Sequence, residues 1–204
     1  MHELPALLVS AWHETSWTEL VAAALALAYV LLAIGQRLSC WFAAFVSSVM
    51  YVWVFFTARL YMDSALQAFF AVMAVYGYWQ WQHGKAGAAL AVSRWPLARH
   101  ALAALVIVAL SLLSSFFLRR FTPAAMPFLD SLVTWSSVFA TFLVARKVYE
   151  NWHWWLLIDS VSLCLFFTRH LYFTVLLYGL YVVLSVVGMR EWRRSLPAAA
   201  YAAA

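Results

Sequence analysis

The chain has 204 residues, 67% of them hydrophobic and 10% charged, against about 45–50% and about 25% in a soluble globular domain. That composition excludes a water-soluble fold and describes an integral membrane protein. The formal net charge of +5 does not point to nucleic acid, which needs a basic patch on a folded polar surface that this chain lacks.

Residues 1–16 form an N-terminal segment. Their sequence, MHELPALLVSAWHETS, has neither the basic n-region nor the small-residue cleavage site of a signal peptide, so the first apolar stretch is expected to be retained. Apolar stretches of about 20 residues, the length needed to cross a hydrocarbon core of about 30 Å, follow at 17–34, 39–57, 63–81, 100–118, 127–145, 152–168 and 171–188. An all-α protein with seven transmembrane helices is therefore expected. The third, fifth and sixth spans carry Asp63, Asp130 and Asp159 at or inside their edges. If the loops alternate sides, Arg37, Lys85, Arg94, Arg99, Arg146, Lys147, Arg190, Arg193 and Arg194 fall on one side, and Arg59, Arg119, Arg120 and Arg169 on the other. The positive-inside rule then places the N-terminus outside a bacterial inner membrane and the C-terminus in the cytoplasm. Cys40 and Cys164, both in apolar context, read as small buried hydrophobes rather than a disulfide.

Shifting the chain by 111 residues lays 41–81 over 152–192 without a gap. Trp41 meets Trp152, Phe55-Phe56-Thr57 meets Phe166-Phe167-Thr168, Leu60-Tyr61 meets Leu171-Tyr172, and Gly77 and Trp81 meet Gly188 and Trp192. This internal repeat divides the chain into a first three-helix unit (17–81), a loop and linker helix (82–126), a second three-helix unit (127–192) and a tail (193–204). Three helices end on the opposite face and the fourth carries the chain back. The units then share one orientation, the parallel-repeat arrangement that places a transporter's substrate near the midplane between repeats.

Within NWHWWLLIDS, residues 151–160, Trp152, Trp155 and Asp159 stand at i, i+3 and i+7 and share one helix face. A carboxylate at that depth costs about 2.5–3.5 kcal/mol on insertion scales and is expected to face a cavity or a partner, where the two tryptophans can stack on a planar cation. The plainer alternatives are an interfacial aromatic belt for the tryptophans and a structural ion pair with an arginine for Asp159. In the first unit the same face holds Trp41, Ala44 and Ser48, without the second aromatic or the charge. The third span carries Gln67, Phe70, Ala74 and Gly77 on one stripe; Gln67 serves either a ligand or an interhelical hydrogen bond. Tyr76, Tyr78, Trp79 and Trp81 read as an aromatic belt. The six histidines show no metal-binding spacing, and no nucleophile motif, P-loop or CxxC occurs, so neither an enzyme nor a cofactor is expected.

LQAFFAVMAVYGYWQW (66–81), MPFLDS (126–131), RKVYENWHWW (146–155) and GMREW (188–192) strongly resemble the PnuC family of vitamin transporters, and the resemblance runs from about residue 17 to residue 192. It implies a 3+1+3, SWEET-like layout of seven helices and facilitated diffusion of a vitamin precursor, nicotinamide riboside first, which a cytoplasmic kinase traps by phosphorylation. It also implies that Trp152, Trp155 and Gln67 match the family's WxxW pair and helix-3 glutamine. The chain departs from nicotinamide riboside members, which often carry asparagine, at Ala74 and Asp159. WWLLIDSVS and HLYFTVLLYGLYVVLSVVG also look like members linked to thiamine, so thiamine uptake is the alternative and a heptahelical receptor a more remote one. The expected substrate site comprises Trp41, Gln67, Phe70, Ala74, Trp152, Trp155 and Asp159, with the vitamin and the bilayer as partners. The sequence leaves a homo-oligomer open.

Overall fold

The computed structural model describes residues 17–57, 59, 61–84, 90–122, 126–168 and 172–197. The segment 1–16, the tail 198–204, Leu60, Leu171, Lys85 and Arg169 lie outside the described residues. Among the described residues seven helices follow one another: α1 (Trp17–Ile34), α2 (Cys40–Thr57), α3 (Tyr61–His83), α4 (Leu97–Phe121), α5 (Pro127–Ala145), α6 (Asn151–Thr168) and α7 (Tyr172–Arg194). The expected spans differ most at α7, which continues past Gly188 because the side chain of Trp192 is fully buried and the helix must carry it there.

Among the described residues, four helices, α2, α4, α5 and α7 from Thr174, are long and apolar enough to cross a membrane on their own. The sequence expects seven. α1 runs 18 residues from Trp17 to Ile34 and carries the apolar run Leu20–Ile34, and α3 and α6 are diluted by Asp63, Gln67, Gln80 and Gln82 or by Asn151, His153 and Asp159.

The packing is inverted relative to a soluble protein. On α4, Leu102, Leu105, Leu112, Leu113, Phe116 and Phe117 are exposed, whereas Ser111 and Ser115 are buried. In lipid a leucine gains nothing by leaving its surroundings, so small residues that allow close approach occupy the interfaces. Their hydroxyls need partners there. Ser111 donates to the Ile107 carbonyl at 2.7 Å, Thr141 to Ser137 at 2.8 Å, and Ser47 reaches from α2 to the Ala22 carbonyl of α1 at 2.8 Å. Cys40 is buried, but Cys164 is exposed on the outer face of α6; both thiols are free.

α1 packs on α2, α2 on α3, α5 on α6 and α6 on α7, while α4 rests on α5. The contacts joining the two halves are α3 with α5 and α1 with α7, and the 111-residue offset exchanges one for the other. At each, an indole N–H caps the last turn of a helix: Trp81 Nε1 donates to the Val144 carbonyl at 3.1 Å and Trp192 Nε1 to the Ala33 carbonyl at 3.0 Å. Trp81 therefore belongs to the core, not to an aromatic belt, which retains Tyr78 and Trp79 as exposed members. The turn after α1 matches the turn after α5: Gln36 N bonds Ala33 O at 3.0 Å and Lys147 N bonds Val144 O at 2.9 Å, while Arg37 N to Leu32 O and Val148 N to Leu143 O are both 2.9 Å. Both are Schellman turns, with Gln36 at φ 52° and Lys147 at φ 48° where glycine is usual.

Each half is closed by an indole laid on a glycine. Trp152 edges against Trp192 with centroids 5.5 Å apart at 87°, Trp41 against Trp81 at 5.4 Å and 86°, and Trp81 meets Trp192 at 6.1 Å. A Cβ on Gly188 would stand 2.6 Å from Trp152 ring atoms, and one on Gly77 would collide harder with Trp41. Gly188→Leu and Gly77→Leu should each lower the thermal unfolding midpoint in detergent through overpacking worth about 1–3 kcal/mol; unchanged midpoints in both variants would contradict this packing.

Candidate functional site

The three tryptophans of α6 have three different roles. Trp154 turns away from the bundle centre, donating through Nε1 to His100 Nδ1 at 3.2 Å and packing on Phe139 at 5.0 Å, and so ties α6 to α4 and α5. Trp152, 3% exposed, lies on Gly188 and edges against Trp192. Trp155 is half-buried and reaches the space between the halves.

That space is a cavity of roughly 340 Å³, within the range of about 300–1,000 Å³ usual for small-molecule sites. Six of the seven expected site residues line it: Trp41, Gln67, Phe70, Trp152, Trp155 and Asp159. Ala74 does not; it is 1% exposed and packed in the apolar core, because its small side chain lets the helices close over it. Its counterpart at the same offset, Ser185, lines the cavity instead. Trp152 presents little aromatic face, since Gly188 covers its ring, whereas Trp155 is the more accessible indole.

Asp159 is 5% exposed. Its Oδ2 accepts a hydrogen bond from Ser185 Oγ at 3.3 Å, and among the described residues no basic side chain stands within ion-pair distance of it. Among the described residues, the structural ion pair that would explain the charge away is not formed. Sequence reasoning passed over Tyr51, Tyr178, Tyr181, Ser137, Thr141 and Ser185, all of which line the cavity. Tyr178 and Tyr181 meet edge to face at 5.9 Å and 89°. Their signal was weak, because tyrosine and serine at helical spacing look alike whether they line a cavity or an interface. Trp41 and Trp152 also carry buried indole N–H groups without partners among the described residues, at positions that the offset exchanges. Among the described residues the lining thus combines one carboxylate, several hydroxyls, an amide and aromatic rings, and it holds no lysine, arginine or histidine.

A second polar cluster lies outside the cavity. Glu150 accepts from Arg94 Nε at 2.9 Å and from the Trp95 backbone N–H at 3.1 Å, and Ser93 and Lys147–Tyr149 pair as a short parallel bridge. This strap fastens the segment before α4 to the turn between α5 and α6.

Residues 16–194 match the profile of the nicotinamide mononucleotide transporter family. The chain belongs to that family. It is therefore one of a family of membrane transporters and not an enzyme. It is 28% identical over 210 residues to the nicotinamide riboside transporter PnuC of Escherichia coli (strain K12), covering 90% of this chain and 87% of that protein. It is 29% identical over 185 residues to the riboflavin/roseoflavin transporter RibM of Streptomyces davaonensis, covering 86% of this chain and 84% of the relative. The crystal structure of the vitamin B3 transporter PnuC superposes with a TM-score of 0.71 at 20% identity, over 92% of this chain and 85% of that one, and shares the fold. Family membership removes the receptor reading.

Within the site, core and cavity-facing positions separate. Trp152→Ala should cost about 3–5 kcal/mol as a core truncation and lower the unfolding midpoint in detergent strongly. Trp155→Ala should shift that midpoint much less while impairing uptake; equal destabilisation by the two would place Trp155 in the core as well.

Proposed function

We propose that the protein carries nicotinamide riboside across the inner membrane by facilitated diffusion. The observation that carries this reading is Asp159, a buried carboxylate without a basic partner among the described residues, in a cavity whose described lining residues include no basic side chain. An unpaired buried charge is expensive, and a positively charged aromatic cargo compensates it as it enters. The same lining disfavours phosphorylated forms. A phosphate calls for arginine, lysine or clustered backbone N–H groups, and here it would face a carboxylate of like charge. The nucleoside, rather than the mononucleotide in the family's descriptive name, suits the site.

The charged ring stands against Asp159 with Trp155 alongside, and Gln67 and the hydroxyls of Ser137, Thr141 and Ser185 take up its polar groups. A neutral flavin, the cargo named for the Streptomyces relative, has no use for the carboxylate. Thiamine, also a cationic ring, satisfies Asp159 equally well and is the second reading; the nicotinamide riboside transporter from Escherichia coli favours the first. Cytoplasmic phosphorylation then traps the cargo and keeps the inward gradient steep, so that no coupling ion is required.

The molecule is two three-helix units, α1–α3 and α5–α7, related by an axis along the membrane normal, with α4 as linker. Support comes from the exchanged contacts α3–α5 and α1–α7, the paired indole caps and the two matching Schellman turns. The richer share of basic residues puts the C-terminal ends of α3, α5 and α7 in the cytoplasm and the N-terminus outside.

Proteoliposome uptake tests the assignment. Labelled nicotinamide riboside should saturate while nicotinamide mononucleotide neither enters nor competes. Asp159→Ala should cut uptake of the riboside by at least about tenfold, the equivalent of about 1.4 kcal/mol, without loss of expression. Saturable thiamine uptake with indifference to the riboside would transfer the assignment to thiamine.

A further inference from the structure

Beyond Trp41 and Trp152 the cavity is closed by two further layers. Trp81 and Trp192 stand behind them, edge to face at 5.4 Å and 5.5 Å. Behind Trp81 comes Lys147, 7% exposed, with Nζ 4.4 Å from the Trp81 ring centroid and 3.4 Å from Gln36 Oε1. Gln36 Nε2 in turn donates to Ser195 Oγ at 2.9 Å, just past the end of α7. Gln36 and Lys147 are 111 residues apart, so they occupy the same position of the two repeated turns. An ammonium from one half thus meets an amide and an indole of the other where the two turns face each other.

Two features mark this lysine as more than a surface charge. It sits in the left-handed region at φ 48°, as does Gln36 at φ 52°, at a Schellman position that glycine fills without strain. Strain of this kind persists where the surrounding structure requires the side chain. Its backbone is also held from outside, because Ser93 N donates to the Lys147 carbonyl at 2.9 Å, so the side chain reaches across from a fastened base. Burial lowers the proton affinity of the ammonium below the ordinary lysine value, with Cys40 opposing.

We propose that Lys147 is the latch of this end of the cavity: its ammonium, shared between the Trp81 ring and Gln36, holds the two halves closed and must leave for cargo to pass. Lys147 is a positioning residue that acts through Trp81, Gln36 and the indole caps on Val144 and Ala33, and it does not touch the cargo. This end is closed while the cavity behind it persists, as alternating access demands of one state. A buried ammonium on the exit path also repels a cationic cargo until it swings aside. The latch rests on the transport reading above only for its cargo, since the closure is a property of the fold.

Cys40 is a native reporter, 0% exposed and close enough to Lys147 to feel its charge. In full-length protein in proteoliposomes with Cys164→Ala, Cys40 should react slowly with the membrane-permeant N-ethylmaleimide. Lys147→Met should speed that reaction by about tenfold as the open minor state gains population within the usual 0.1–10% window, and Gln36→Leu should speed it less. Lys147→Arg, which keeps a cation, should restore slow labelling. Loss of a neighbouring positive charge would by itself slow alkylation, because the thiolate is the reacting species, so acceleration reports access. A merely structural lysine would lower the unfolding midpoint and leave Cys40 in the folded protein as slow as before. Unchanged labelling in Lys147→Met overturns the latch. If that variant does not fold, unchanged labelling in Gln36→Leu does so. Failure of the parent to carry nicotinamide riboside or thiamine would overturn the transport assignment instead, and the Cys40 comparison would still decide the latch.

Discussion

The structure depends on an indole laid flat on a glycine, made twice. In a bilayer there is no hydrophobic drive to bring helices together, so association rests on close packing and on hydrogen bonds that lipid cannot supply. Gly77 and Gly188 provide the first by letting Trp41 and Trp152 lie against bare backbone. Trp81 and Trp192, edge-on to those rings, provide the second by donating to carbonyls in the last turns of α5 and α1, as a second bond beside the one each carbonyl accepts within its Schellman turn. The same residues that compact each half thereby join the halves to each other.

On this matched frame, chemistry sits where the two copies differ. Ser48 stands where the second copy has Asp159, Ala44 where it has Trp155, and Phe70 and Gln67 where it has Tyr181 and Tyr178, and all eight positions line the cavity. One wall is therefore polar and anionic and the other largely neutral, which suits a cargo with a charged ring at one end only. The turn residues follow the same logic, since Gln36 keeps the neutral partner and Lys147 the charge. The cavity thus offers its negative charge inside, while the closed end behind the tryptophans carries a positive one.

Part of this was legible beforehand because membrane helices follow length and apolarity, and spans at 17–34 and 127–145 coincide with α1 and α5. Asp159 was legible because a carboxylate inside an apolar stretch needs a reason. Less legible were the tyrosines and serines of the lining, since their residue types are common in helix interfaces as well. Ala74 shared a helical stripe with Gln67 and Phe70, yet it is sealed in the core. Periodicity fixes a direction around the helix and says nothing about how far a neighbouring helix has closed in.

The sequence by itself determined the all-helical membrane class, the 111-residue repeat and the isolated carboxylate, because each follows from composition or from residue order along one helix. Only the tertiary structure decided which tryptophans serve the core and which reach the cavity, that Ser185 rather than Ala74 faces it, and that Lys147 meets Gln36 and Trp81. Those outcomes depend on distances between helices that lie far apart in the chain, and the packing of indole on glycine sets those distances.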